Sequence, residues 1–250
     1  QPTRWVATAE ALEDIGSQGL ALAWMTDPAA QALIEEAGWD GRLLGQTGDY
    51  VYVVESNVSP TSKYNLVIDR SESLLIQLDE AGGALSSLRM DWRNDAGEAG
   101  EPYRSLREFS NNKDGMYGAY VRVLVPPDAE LVTASGQASD ELRAAESVTV
   151  ESGKTAFANY IFMPPGESTL TYLWTKPAAA SRTEKGWRYE LKFQKQPGAR
   201  PMAQSITVDL PAGAEVLETS EGATVDGERV RFEAVLDRDR RVAIDYRLAE

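Results

Sequence analysis

From residue 49 onward apolar and polar side chains alternate with a period of two, as in strands that turn one face to a core and the other to water. Residues 50–54, 64–69, 74–78 and 85–92 are predicted strands, and the turn chemistry of residues 79–83 joins the last two as a hairpin. Residues 94–114 are polar and broken by Gly97, Gly100 and Pro102, so they read as an excursion loop with a short helix near 105–109, before a strand at 117–125. In the second half Trp187, Tyr189, Leu191 and Phe193 alternate with Arg188, Glu190 and Lys192. Asp226 and Gly227 supply a tight hairpin, strands follow at 230–232 and 244–248, and the run DRDRR at 237–241 reads as a turn or a solvated edge.

The first forty residues follow other rules. Thr3 can cap a helix in which Trp5, Ala9 and Leu12 share a face, with Gly16 and Gly19 ending it. A short buried strand is expected at 20–25. Asp27 then offers a carboxylate to orphan N–H groups and Pro28 fits the first helical position, so a helix runs to about Ala37 and stops at Gly38. Ala30, Leu33, Ile34 and Ala37 are its expected core face.

Together these elements predict a mainly β protein with an α+β N-terminal portion. Residues 1–136 form that portion with its antiparallel sheet, and residues 137–250 form β-sandwich modules, the last immunoglobulin-like. A faint echo joins the halves. "RVLVPPDAELVTASG" at 122–136 and "TVDLPAGAEVLETSEG" at 207–222 share a strand, a proline, a turn and an Ala-Glu pair. This fits either two related modules or the same wording wherever a strand turns a corner.

Composition narrows the chemistry. The chain has no histidine and no cysteine, which excludes Ser-His-Asp catalysis, thiol nucleophiles, cysteine zinc sites and disulfides. A net charge of −14 repels phosphate backbones, so nucleic acid is not an expected partner. The longest apolar run, 20–25, is far short of the roughly 20 residues that span a bilayer. This segment should insert in no membrane. Opening on Gln1, it reads as a processed portion of something longer, with any anchor upstream.

Three groups of side chains are candidate sites. Glu55, Asn57 and Lys63 form a polar elbow between two strands; such residues usually satisfy turn backbone, and the functional alternative is a ligand contact. Asp91, Asn94, Asp95, Glu98, Asn111 and Asp114 could supply oxygens to calcium if their loops meet, although the spacing is not that of an EF-hand and a solvated acidic loop is the plainer reading. Calcium is the one cofactor the sequence offers. Finally, a glycoside-cleaving carboxylate pair needs neither His nor Cys, yet nothing singles out two of the 39 acids. Trp24, Trp39, Trp92 and Trp187 sit on inward periodicities and are expected in the core rather than on a sugar platform.

The stretches "ALAWMTDPAAQALIEEAGWDG", "GDYVYVVESNVSPTSKYNLVIDRS", "YGAYVRVLVPPDAEL", "PPGES" and "FQKQPG", in this order, resemble the C-terminal part of a bacterial envelope family known as domain of unknown function four thousand and twelve. On that match Asn57 and Lys63 fall on a favoured Asn and Lys, and Gly38, Trp39 and Gly41 on a Gly-aromatic-Gly corner; Pro60 departs from the pattern. The resemblance implies an extracytoplasmic, cell-envelope location and supplies no catalytic residues to carry over. The expected role is a non-enzymatic structural or interaction domain with a protein or cell-wall glycan partner. The alternative is a carbohydrate-binding or carboxylate-dependent carbohydrate-active protein.

Overall fold

The computed structural model describes residues 2–45, 47–58, 63–97, 115–136 and 147–248. More than half of the chain is strand, arranged as two mixed sheets. The first sheet runs, in spatial order, β12 (Glu215–Thr219), β15 (Arg240–Arg247), β10 (Gly186–Gln194), β1 (Asp49–Asn57), β4 (Tyr117–Val125), β7 (Lys154–Met163) and β6 (Ser147–Glu151), with β9 (Ala180–Thr183) also on β10. The second runs β13 (Ala223–Asp226), β14 (Arg229–Leu236), β11 (Met202–Asp209), β2 (Ile68–Leu78), β3 (Ala84–Asn94), β8 (Gly166–Lys176) and β5 (Glu130–Gly136). Neighbours are antiparallel except at two places. β1 lies parallel to β10 and β2 parallel to β11, so each sheet is joined at its middle by strands far apart in sequence.

Alternation makes the core. On β3 every second residue from Ala84 to Asn94 is buried, and on β8 Leu170, Tyr172 and Trp174 face inward in the same way. Inward residues of both sheets form one hydrophobic cluster that takes members from Val51 to Tyr246. The expected division at residue 136/137 therefore separates nothing structural. β8, from the second half, is inserted between β3 and β5, from the first, and pairs with both along its length. The internal echo marks a shared turn. The Ala129 N–H donates to Pro126 O at 3.1 Å and the Ala214 N–H to Pro211 O at 3.0 Å, and each turn carries the chain from one sheet to the other.

The stretch before β1 carries the two helices and is scarcely buried. Helix α1 (Pro2–Ser17) and helix α2 (Pro28–Glu36) both form, but α1 already includes Pro2, so Thr3 lies inside its first turn and is not its cap. Asp27 Oδ1 accepts from the Ala30 N–H at 2.9 Å, and Gly38 takes the positive φ of +71° that ends α2. Yet α2 has no buried residue and Leu33 is 66% exposed, which corrects the expected core face. Residues 20–25 form no strand. They have no sheet neighbour and leave Leu20, Leu22 and Met25 exposed, with Trp24 at 73%. A strap that includes Leu43 and Leu44 instead covers Tyr50, Tyr52, Leu124 and Ala156 on the outer side of the first sheet.

Candidate functional site

β2 carries charge into the core. Its inward positions are Ile68, Arg70, Glu72, Leu74 and Ile76, so a guanidinium and a carboxylate stand where aliphatic side chains belong. The two strands expected at 64–69 and 74–78 are one strand, Ile68–Leu78, that continues through the charged residues 70–72, and residues 64–67 form a 3-10 turn instead. The period of two in fact continues unbroken; only the assumption that inward means apolar fails.

Glu55, at the end of β1, closes the gap between the sheets. Its Oε1 accepts from the Tyr117 hydroxyl at 2.6 Å, and its Oε2 accepts from Trp92 Nε1 at 2.8 Å and Arg70 Nη1 at 3.0 Å. Arg70 Nη2 lies 3.3 Å from Glu72 Oε1. That contact is an ion pair without hydrogen-bond alignment, leaving the buried oxygen without a hydrogen-bond partner, while Gln204 Nε2 donates weakly to Oε2 at 3.5 Å. Burial pushes the Glu72 carboxyl up despite the nearby guanidinium. Burial also works against the Arg70 charge, but Glu72 and Glu55 outweigh it and hold the guanidinium protonated. Tyr117 is pushed far up by burial and by the Glu55 charge, so its hydroxyl stays a donor.

Outside this cluster opens a groove. A cavity of about 530 Å³ is bordered by Glu55, Asn57, Asn65, Arg70, Tyr117 and the loop from Gln196 to Pro201. It meets a second of about 670 Å³ at Asp69 and Arg200, and that one extends past Arg93 to Pro165 and Glu167. Four of the quoted sequence stretches therefore come together around these two cavities. The loop is fixed from several sides. Gln196 holds the Glu55 backbone twice, accepting from its N–H at 2.8 Å and donating to its carbonyl at 2.9 Å. Gly198, at φ +74°, donates to Gly19 O, and the buried Lys195 Nζ donates to Gln18 O at 2.9 Å.

The sequence-predicted residues are distributed unevenly. Glu55 and Asn57 border the groove, whereas Lys63 is exposed and does not line it. Of the calcium set, Asp91 lies on the outer face of β3, paired with Arg89 at 2.7 Å and accepting from Thr169 Oγ1 at 2.6 Å. Asn94 lies on the inner face, three residues on, its amide donating to Gly115 O and Met163 O while its oxygen accepts from the Ala96 N–H. Asp95 pairs with Arg93. Glu98, Asn111 and Asp114 lie outside the described residues. Strand pleating thus holds Asp91 and Asn94 apart, and among the described residues no three acidic side chains gather as a metal would require. Trp92 and Trp187 are buried as expected; Trp39 is partly buried and Trp24 is outside the core.

A second buried acid has a measurable signature. Asp49 accepts from the Tyr50 N–H at 2.8 Å and the Tyr189 hydroxyl at 3.0 Å, yet burial dominates and pushes its carboxyl up to about 6. The folded chain thus holds this proton more tightly than the unfolded chain, whose carboxyl has its ordinary value of 3.8. The stabilisation is complete below that value and declines as pH rises to about 6, by about 3 kcal/mol in all. Asp49→Asn, which keeps both neighbours within hydrogen-bonding reach, should gain on the wild type by most of that amount between pH 4 and pH 7 in denaturant titrations. A stability difference that stays constant with pH would refute the assignment.

No protein-family model and no curated protein matches the sequence. Solved structures with a similar course include a protein from Legionella pneumophila described as nutrient binding, at 9% identity over 79% of this chain and 71% of that one, TM-score 0.47. Yeast LTA4 hydrolase aligns at 11% identity over 76% of this chain and 30% of its own, TM-score 0.39. An M1 zinc metallopeptidase from Deinococcus radiodurans aligns at 10% identity over 71% of this chain and 42% of its own, TM-score 0.32. The chain spans less than half the length of these two enzymes, and all three likenesses stay under a TM-score of 0.5.

Proposed function

We propose that this chain is a non-enzymatic structural and interaction domain of the cell envelope, a two-layer β-sandwich whose last strands are immunoglobulin-like. One observation carries the reading: Glu55 has both oxygens engaged by fixed groups, Tyr117 on one side and Trp92 and Arg70 on the other. A catalytic acid or base needs an oxygen within reach of substrate, and here Oε1 is spent on Tyr117 of the adjacent strand β4 and Oε2 on Trp92 and Arg70 of the facing sheet. From β10 onward the strands pass repeatedly between the two layers, which supports the immunoglobulin-like description. Among the described residues no helix is long and apolar enough to cross a membrane. An envelope role would rest on an anchor elsewhere.

The glycan-binding alternative has support of its own. On the outer side of the first sheet Tyr120 and Tyr160 lie with ring centroids 4.5 Å apart, and Tyr160 and the neighbouring Phe162 stand half out of the surface. One experiment addresses both readings: incubation with a panel of aryl glycosides from pH 4 to pH 8, alongside co-sedimentation with insoluble cell-wall glycan. The structural reading expects no turnover above that of Glu55→Gln. Turnover that this variant abolishes would overturn it, and co-sedimentation lost in Tyr160→Ala would assign the glycan role.

A further inference from the structure

We propose that the groove above the Glu55–Arg70 cluster binds a small organic carboxylate, with Arg200 as its anchor. Arg200 Nη2 donates to the carbonyls of Asn65 at 3.0 Å and Leu66 at 2.7 Å. These bonds fix the guanidinium across the groove without neutralising it. Arg70 and Arg93, which border the same groove, each pair with carboxylates; Arg200 pairs with none among the described residues. In a chain of net charge −14, an arginine held in place and without a counter-ion among the described residues is a ready receptor for one.

The neighbours set the ligand class. Asn65 accepts through its oxygen from Asn57 Nδ2 at 3.4 Å, which leaves the Asn65 amide N–H groups as further donors on that wall. Asp69 and Glu55 line the groove as well, so a phosphate dianion meets more repulsion than a single carboxylate does. Ile68, Pro197 and Met202 add apolar surface for an organic stem. The arginine is also placed before any ligand arrives. Gln196 ties its loop to β1 and Gly198 ties it to Gly19, so little ordering remains to be done on binding.

The inference rests on the interaction-domain reading in one respect, taking the groove as a place of binding rather than turnover. The test is an amide-resolved NMR titration of the intact chain with N-acetylalanine, its neutral amide as control and inorganic phosphate as competing anion. The expected result is saturable shifts at residues 65–70 and 196–201 for the carboxylate alone, weakened about tenfold in Arg200→Ala and partly restored in Arg200→Lys. Melting curves of both variants confirm that they fold, and Asn65→Ala supplies an independent lesion should Arg200→Ala not fold. Shifts absent, equal with the amide, stronger with phosphate, or unchanged in the folded variants would overturn the site. Such a failure leaves the interaction-domain reading standing, whereas glycoside turnover would remove that reading and leave the titration intact.

Discussion

Arg70→Ala is expected to cost about 3–5 kcal/mol of folding stability, because it strands the carboxylates of Glu55 and Glu72 between the sheets without a counter-ion. For a chain of this size the thermal midpoint should fall by on the order of 10 °C. The two acids contribute differently. Glu72 has no exposed side-chain surface and an oxygen without a hydrogen bond, while Glu55 keeps Tyr117 and Trp92. Adding Glu72→Gln to Arg70→Ala should therefore recover a large part of the loss, and adding Glu55→Gln should recover less. A double-mutant cycle measured by chemical denaturation decides this. An Arg70→Ala protein as stable as the wild type would show that the cluster braces nothing.

Trp174→Ala should cost a comparable roughly 3–5 kcal/mol, through loss of a fully buried indole and the cavity left behind. Trp174 is on β8 and packs against Phe157 of β7 at a centroid distance of 6.2 Å, within the cluster that also holds residues of β2 and β3. The shape of the transition matters as much as its midpoint. With one core, fluorescence and circular dichroism should report a single transition that shifts as a whole. If residues 1–136 unfolded independently of 137–250, the substitution would split it in two.

Local chemistry in this chain was legible wherever the partners are close in sequence. Asp27 and Pro28 start α2 and Gly38 ends it because capping uses atoms three or four residues away. Asp79 closes the β2–β3 turn by accepting from the N–H groups of Ala81 and Gly83, both within reach of its own backbone. Strand β4 falls at the expected residues 117–125. What failed was inference from polarity to position. Residues 20–25 are apolar and lie outside, since no strand edge is offered to them; Arg70 and Glu72 are charged and lie inside, since each supplies the other's counter-charge.

The site divides along the same line. Glu55 and Asn57 were found because they interrupt an apolar strand just before an elbow. Arg70, Tyr117, Gln196 and Arg200 were not, since they come from three separate segments that only the fold brings together. The sequence signal that could have found Arg70 is the strict alternation Ile68, Arg70, Glu72, Leu74, read without excluding charge from the inward positions. For Asp91 and Asn94 the same pleat shows the reverse: residues three apart on a strand cannot face one ligand, however acidic the stretch.

The two parallel junctions also govern how the chain is made. Asp49 must wait for Tyr189, 140 positions later, and β2 must wait for β11. A ribosome or export channel delivering the chain from its N-terminus releases β1 and β2 with one flank open long before the strands that fill it emerge. That interval is when stray strand pairing between nascent copies is most dangerous, so yield during biosynthesis should depend on holding factors far more than the finished molecule's stability would suggest.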